Sequence, residues 1–187
     1  MLSREMITRW KLIIRILFER DVVLEKDGET LKIRYRENES FFNANREKIK
    51  INITTPELKG VYLQGASQTF IQDFNLEDLR INLSGSAYAE AKLTANKLDI
   101  ELTGASKLVL NGAAKNLAAE LNGIASLEAL EMVVEEATIE ATAAANANLY
   151  VTELLEVDAS GGTTIKYKGN PKVNKSASVG SSVRVLD

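Results

Sequence analysis

Five positions, one repeat apart, carry the side chains best placed to do chemistry in this chain of 187 residues. Asn82, Glu101, Glu120, Glu140 and Asp158 are separated by 19, 19, 20 and 18 residues. If each interval is one turn of a coil, four carboxylates stand on successive rungs about 4.8 Å apart. Like charges on neighbouring strands repel, so water solvates the row or a ligand neutralises it. Two ligands suit such a strip: a hard cation held by oxygen, such as Ca2+, or a polar polymer such as a glycan. A second polar column runs beside it through Gln64, Ser84, Thr103, Asn122, Thr142 and Ser160. The candidate ligand-binding residues are therefore Glu101, Glu120, Glu140, Asp158, Thr103 and Asn122. The structural alternative is a solvated acidic face that keeps the protein soluble and blocks lateral aggregation.

The same acids are also the material for an enzyme, because paired carboxylates about 5–9 Å apart hydrolyse glycosidic bonds. Each acid, however, is a repeat position, whereas catalytic groups usually interrupt a pattern. Tyr62, Tyr88, Tyr150 and Tyr167 are scattered and form no evident sugar platform. No catalytic residue is assigned, and a carbohydrate-active β-helix enzyme stays the alternative. The chain has no His and no Cys. Ser-His-Asp and Cys-His machinery, thiolate metal sites and disulfides are thus excluded within it. No EF-hand loop occurs, and glycines fall one per repeat instead of clustering as a phosphate cradle.

The elements that would position these residues follow from the repeat. Leu79–Gly85 (LRINLSG), Leu98–Gly104 (LDIELTG) and Leu117–Gly123 (LAAELNG) are copies, with weaker ones at 137–143 and 155–161. Their closing residues Gly65, Gly85, Gly104, Gly123, Ala143 and Gly161 are spaced 20, 19, 19, 20 and 18 apart. A fixed period of this size marks a solenoid. Inside a copy the period is 2: Leu98, Ile100 and Leu102 share one face, and Asp99, Glu101 and Thr103 the other, as in a half-buried strand. About 19 residues leave no room for a crossover helix, so each coil consists of short strands and tight turns. The expected fold is all-β, a single-stranded parallel β-helix. Its six or seven coils would stand about 30 Å tall at the usual strand spacing. A leucine-rich horseshoe has a similar period, but the stretch after each glycine here is β-like or Ala-rich.

A net charge of −3 and few aromatics (6%) give no nucleic-acid footprint. Residues 1–24 stand apart. Arg4, Arg9, Lys11, Arg15 and Arg20 surround a short apolar run that is too short for a membrane span, and no signal-peptide cleavage site follows. This segment is expected to cap an open solenoid end, with a membrane-surface amphipathic segment as the sharper reading. Residues 25–187 are read as the β-helix domain. It begins with a hairpin turning at Lys26-Asp27-Gly28-Glu29, followed by a polar excursion over 36–47 and a strand over 48–53. The Ala-rich strip of Ala137, Ala141, Ala143, Ala144 and Ala145 predicts a thin core. Self-association through solenoid ends is a further expectation, and a self-assembling structural scaffold is a second alternative function.

Several motifs carry a resemblance to a family. Thr54-Thr55-Pro56-Glu57-Leu58-Lys59-Gly60-Val61-Tyr62-Leu63-Gln64-Gly65-Ala66-Ser67 resembles the T-x-P-x-L-x-x-L-x-G-A-S stretch of the auto-transporter adhesin, head GIN domain family (DUF2807). Gly104-Ala105-Ser106 repeats its last element. Ile165-Lys166-Tyr167-Lys168-Gly169-Asn170-Pro171-Lys172-Val173 resembles the family's I-x-Y-x-G-N-P-x-V ending, and Lys26 to Ile33 its upstream strand. The resemblance covers roughly 22–185. It implies a right-handed parallel β-helix and a non-enzymatic, adhesin-like module of the bacterial cell envelope or surface that binds glycan or protein. "Adhesin" is itself an analogy in that name.

Overall fold

The computed structural model describes residues 13–17, 22–35 and 50–186. The chain divides into two compact units, Met1–Pro56 and Glu57–Asp187. In the first, β1 (Ile13–Leu17) pairs antiparallel with β4 (Lys50–Thr54), and β2 (Val22–Asp27) with β3 (Thr30–Tyr35). The β2–β3 turn has Gly28 at φ 59 as its first central residue, the position a tight hairpin reserves for glycine. Lys32 and Arg34 reach across to Asp27 and Glu25, each at 2.7 Å. Residues 25–56, expected within the solenoid, fall in this unit because their ladders are antiparallel and close on one another. Most of the expected N-terminal cap and all of the excursion over 36–47 lie outside the described residues.

The second unit is a parallel β-solenoid. Its strands are β5 (Gly60–Leu63), β6 (Gln68–Leu83), β7 (Tyr88–Gly104), β8 (Lys107–Gly123), β9 (Ser126–Ala141), β10 (Asn146–Ala159), β11 (Thr164–Lys168), β12 (Lys172–Ala177) and β13 (Ser182–Val185). Every ladder between them is parallel. No helix occurs among the described residues.

Burial shows how one long strand makes a coil. From Ala95 to Leu117 the buried positions are 95, 98, 100, 102, 106, 108, 110, 114 and 117. Period 2 therefore fails at Asn96-Lys97, at Thr103-Gly104-Ala105, at Asn111-Gly112-Ala113 and again at Lys115-Asn116. Each failure is a corner where consecutive side chains point outward. The flat stretches between corners send alternate side chains into one core. Ile81, Ile100, Ala119, Ile139 and Val157 stack in one inward column, and Leu83, Leu102, Leu121, Ala141 and Ala159 in the next.

The corner at the closing glycines needs residues without a side chain. Gly104 sits at φ 76, and a Cβ there would stand 2.8 Å from the Gly85 carbonyl oxygen of the preceding coil. Gly180, at φ 97, extends the column one coil further. Ala143 holds the same corner at φ 65 with its Cβ in place, a conformation costing about 1–2 kcal/mol for an L-residue. Ala137, Ala141 and Ala145 are core residues, but Ala143 and Ala144 are exposed corner residues. The thin-core reading of the whole strip is corrected accordingly.

Irregular repeat lengths are absorbed elsewhere. β7 and β8 pair at a constant offset, from Tyr88↔Lys107 to Gly104↔Gly123. The register shifts in other ladders fall between Gln72 and Phe74, between Val109 and Asn111, between Leu149 and Tyr150, and between Val151 and Leu154. The first three of these shifts share the corner of Gly112, and the last, between Val151 and Leu154, falls at the next corner, level with Lys115-Asn116. Bulges at these two corners leave the acidic face level from coil to coil.

Candidate functional site

That level face holds the acidic residues. Inward Leu79, Ile81 and Leu83 alternate with outward Arg80 and Asn82, and each later coil repeats the arrangement. The register runs Asn82↔Glu101, Glu101↔Glu120, Glu120↔Glu140, Glu140↔Asp158 and Asp158↔Ser176. Glu101, Glu120, Glu140 and Asp158 are all exposed. The structure thus brings the four expected carboxylates into one column on successive rungs. Thr103 pairs with Asn122 beside it, with the Thr103 hydroxyl donating to the Leu83 carbonyl at 3.5 Å.

The column is not uniform. Asn82 Nδ2 donates to Glu101 at 2.9 Å and ties the first acid to the coil before it. No hydrogen bond or ion pair joins Glu120, Glu140 or Asp158 to another side chain among the described residues. The neighbouring outward column runs Arg80, Asp99, Ala118, Thr138, Glu156 and Asn174. Its cations sit at one end, where Arg80 and Lys97 meet Asp99 at 3.8 and 3.1 Å. At the other end Thr138, Glu140, Glu156, Asp158, Asn174 and Ser176, together with Lys175, line a surface depression of about 340 Å³. Asn174 donates to Glu156 there at 3.2 Å.

Geometry limits the chemistry. The acids form a line, and among the described residues no three acidic groups converge as a metal centre would require. A cation on this face would lie between rungs and need oxygens from its ligand as well. The arrangement presents a row of acceptors with flanking hydroxyl and amide groups, suited to a partner rich in donors.

An Asn–Glu ladder was not anticipated from the sequence. Besides Asn82–Glu101 and Asn174–Glu156, Asn148 donates to Glu128 at 2.7 Å and Asn96 to Glu77. Every pair spans one repeat, so an Asn and a Glu sharing one column was the signal available. Asn148 is outward and engaged. On the face after the glycine corner, the Phe70 and Tyr88 rings meet edge to face at 6.3 Å. Burial, reinforced by the Glu90 carboxylate, pushes the Tyr88 hydroxyl above its ordinary pKa. In the hairpin, the hydrogen bond and charge of Lys32 hold the Asp27 carboxyl below the usual range, and Lys32 is raised in turn.

Comparison with known proteins agrees with this architecture. Solved structures with the same fold include a putative adhesin from Bacteroides fragilis, with a TM-score of 0.85 and 23% identity over 96% of this chain and 84% of that one. A putative adhesin from Parabacteroides distasonis has a TM-score of 0.77 and 16% identity over 96% and 86%. A putative lipid binding protein from the same species has a TM-score of 0.72 and 19% identity, again over 96% and 86%. No curated protein matches the sequence. The profile described as "Putative auto-transporter adhesin, head GIN domain" matches residues 17–171. With the motif at Thr54–Ser67 leading into β5 at the start of the solenoid and that at Ile165–Val173 in its final coils, the chain belongs to the auto-transporter adhesin, head GIN domain family.

Proposed function

We propose that the chain is a non-enzymatic, adhesin-like interaction module of the cell surface or envelope, which holds a glycan or protein ligand along its acidic β-face. The observation that carries this reading is the in-register column, with side-chain partners lacking among the described residues on Glu120, Glu140 and Asp158 over three successive rungs. Glu101, Glu120, Glu140 and Asp158 supply acceptors at the rung spacing, and Thr103 and Asn122 flank them. Sugar hydroxyls donate to such a row, and Ca2+ placed between a rung and the ligand would neutralise the repulsion. Membership of an adhesin family supports a binding role, and a line of repeat-position acids does not favour catalysis. Self-association through the solenoid ends belongs to the same reading and is measured by light scattering.

The test is a glycan array probed with the purified chain, with and without Ca2+. The expected result is selective binding that is lost in Glu120→Lys. No selective binding in either condition would remove the glycan arm and leave protein ligands. Reducing-sugar release from polysaccharides, abolished in Glu120→Gln, would replace the whole reading with an enzyme.

A further inference from the structure

Charge is sorted along this chain. Between Asn116 and Ile165 there are nine acidic residues and no Lys or Arg. From Ala159 to Leu186 the order reverses, with five cations (Lys166, Lys168, Lys172, Lys175 and Arg184) and no acid until Asp187. The final coils of the solenoid are therefore basic, next to coils that are acidic.

The cations are placed together by the ladders. Lys166 pairs in register with Arg184, so two like charges stand side by side on one outward column, an unfavourable arrangement left without a counter-ion. None of the five meets a carboxylate among the described residues. Lys168 lies over the Tyr150 ring, 4.7 Å from its centroid. Next to Lys166 in the same column stands Asn148, not an acid. Lys172 is exposed at the start of β12. The next corner, Ser178–Ser181, puts Val179 fully into solvent at 103% relative exposure. Lys166, Lys168 and Arg184 stand on the face of β11 and β13, whereas Lys172 and Lys175 stand on β12, which continues the acidic face.

We infer that the β11–β13 face of the final coils is a docking surface for an anionic lipid bilayer. Lys166, Lys168 and Arg184 lie against the headgroups, and Val179, at the corner that leads into β13, enters the interface. A broad, ungrooved set of cations beside an exposed aliphatic tip matches a flat anionic surface better than a single bound chain. Each cation near such a surface adds attraction that salt screens. The acidic column lies on the other face, which β12 continues, so docking is oriented: β11 and β13 toward the bilayer, Glu120 and Glu140 away from it. This inference does not rest on the glycan-binding reading.

Vesicle co-sedimentation of the full chain tests it. Phosphatidylcholine vesicles are compared with vesicles of phosphatidylcholine and phosphatidylglycerol, at low and at physiological salt. The chain should pellet with the anionic vesicles alone, and less so as salt rises. Lys166→Gln with Arg184→Gln should lower partitioning by roughly tenfold or more, with an unchanged circular dichroism spectrum. Val179→Ser should lower it further, while Glu120→Lys should not weaken it. Two results would overturn the inference. One is equal pelleting with both vesicle types. The other is no pelleting of the wild type with anionic vesicles at low salt; aggregation of the double variant would then assign the cations to protecting strand edges from pairing.

Discussion

At the scale of single residues, the solenoid is decided by which side chains a corner or a core position will accept. Ser106 and Thr163 point inward and are fully buried, and their hydroxyls have no hydrogen-bond partner. Burying an unpaired hydroxyl costs stability. Ser106→Ala is expected to stabilise the fold by about 1 kcal/mol, read as a higher urea midpoint at an unchanged m-value. A lower midpoint would show that the hydroxyl is engaged in solution. Tyr88 gives a pH prediction. Its folded pKa lies above the ordinary 10.0 because burial and Glu90 disfavour the phenolate. The stability it contributes is complete below the unfolded value and is lost as pH rises through the folded value. Unfolding free energy should therefore fall above pH 10, and fall less in Tyr88→Phe. Equal slopes in the two proteins would contradict this assignment.

At the scale of elements, the acidic face stays level because irregularity is confined to the corner of Gly112 and the corner that follows it. This makes an asymmetric prediction for insertions. One residue added between Asn111 and Gly112 should be accommodated by a bulge, as Asp73 is in β6, and should cost no more than about 1–2 kcal/mol. One residue added between Glu101 and Leu102 would shift the phase and turn a buried column outward. Cooperative unfolding should then be lost or strongly weakened. Thermal unfolding followed by circular dichroism separates these outcomes, and equal tolerance at the two sites would refute the account. The element scale is also where the sequence was most readable. LDIELTG and LAAELNG state their own strand phase and corner, and the 19-residue interval places Glu101 beside Glu120. The Asn–Glu ladder carried a signal, an Asn and a Glu one repeat apart in one column, but spacing alone does not say that the two side chains bond. The corners at Asn96-Lys97 and Asn111–Ala113 were also hidden. There phase changes without a constant residue type: Gly112 matches Leu93 in one ladder and Met132 in the other.

At the scale of the whole molecule, each unit has its own logic. The solenoid buries apolar residues only between neighbouring coils, so length brings core without long-range topology. Its exposed columns are free to vary, and they have varied into an acidic body and basic final coils. The first unit was less readable, because strand signals over 22–35 and 48–53 do not say whether a ladder will be parallel or antiparallel. The division at Pro56 follows from that choice and not from any composition shift. What unites the candidate site is the stacking that makes separated acids neighbours. Since the chain has no cysteine, engineered pairs report it directly. Glu101→Cys with Glu120→Cys places two thiols on adjacent rungs and the same face, within reach of a disulfide. Glu101→Cys with Ala119→Cys places one outside and one in the core. Rapid oxidative cross-linking in the first pair and none in the second is the predicted result. Cross-linking of the second pair, or failure of the first in a folded protein, would contradict the register on which the acidic column stands.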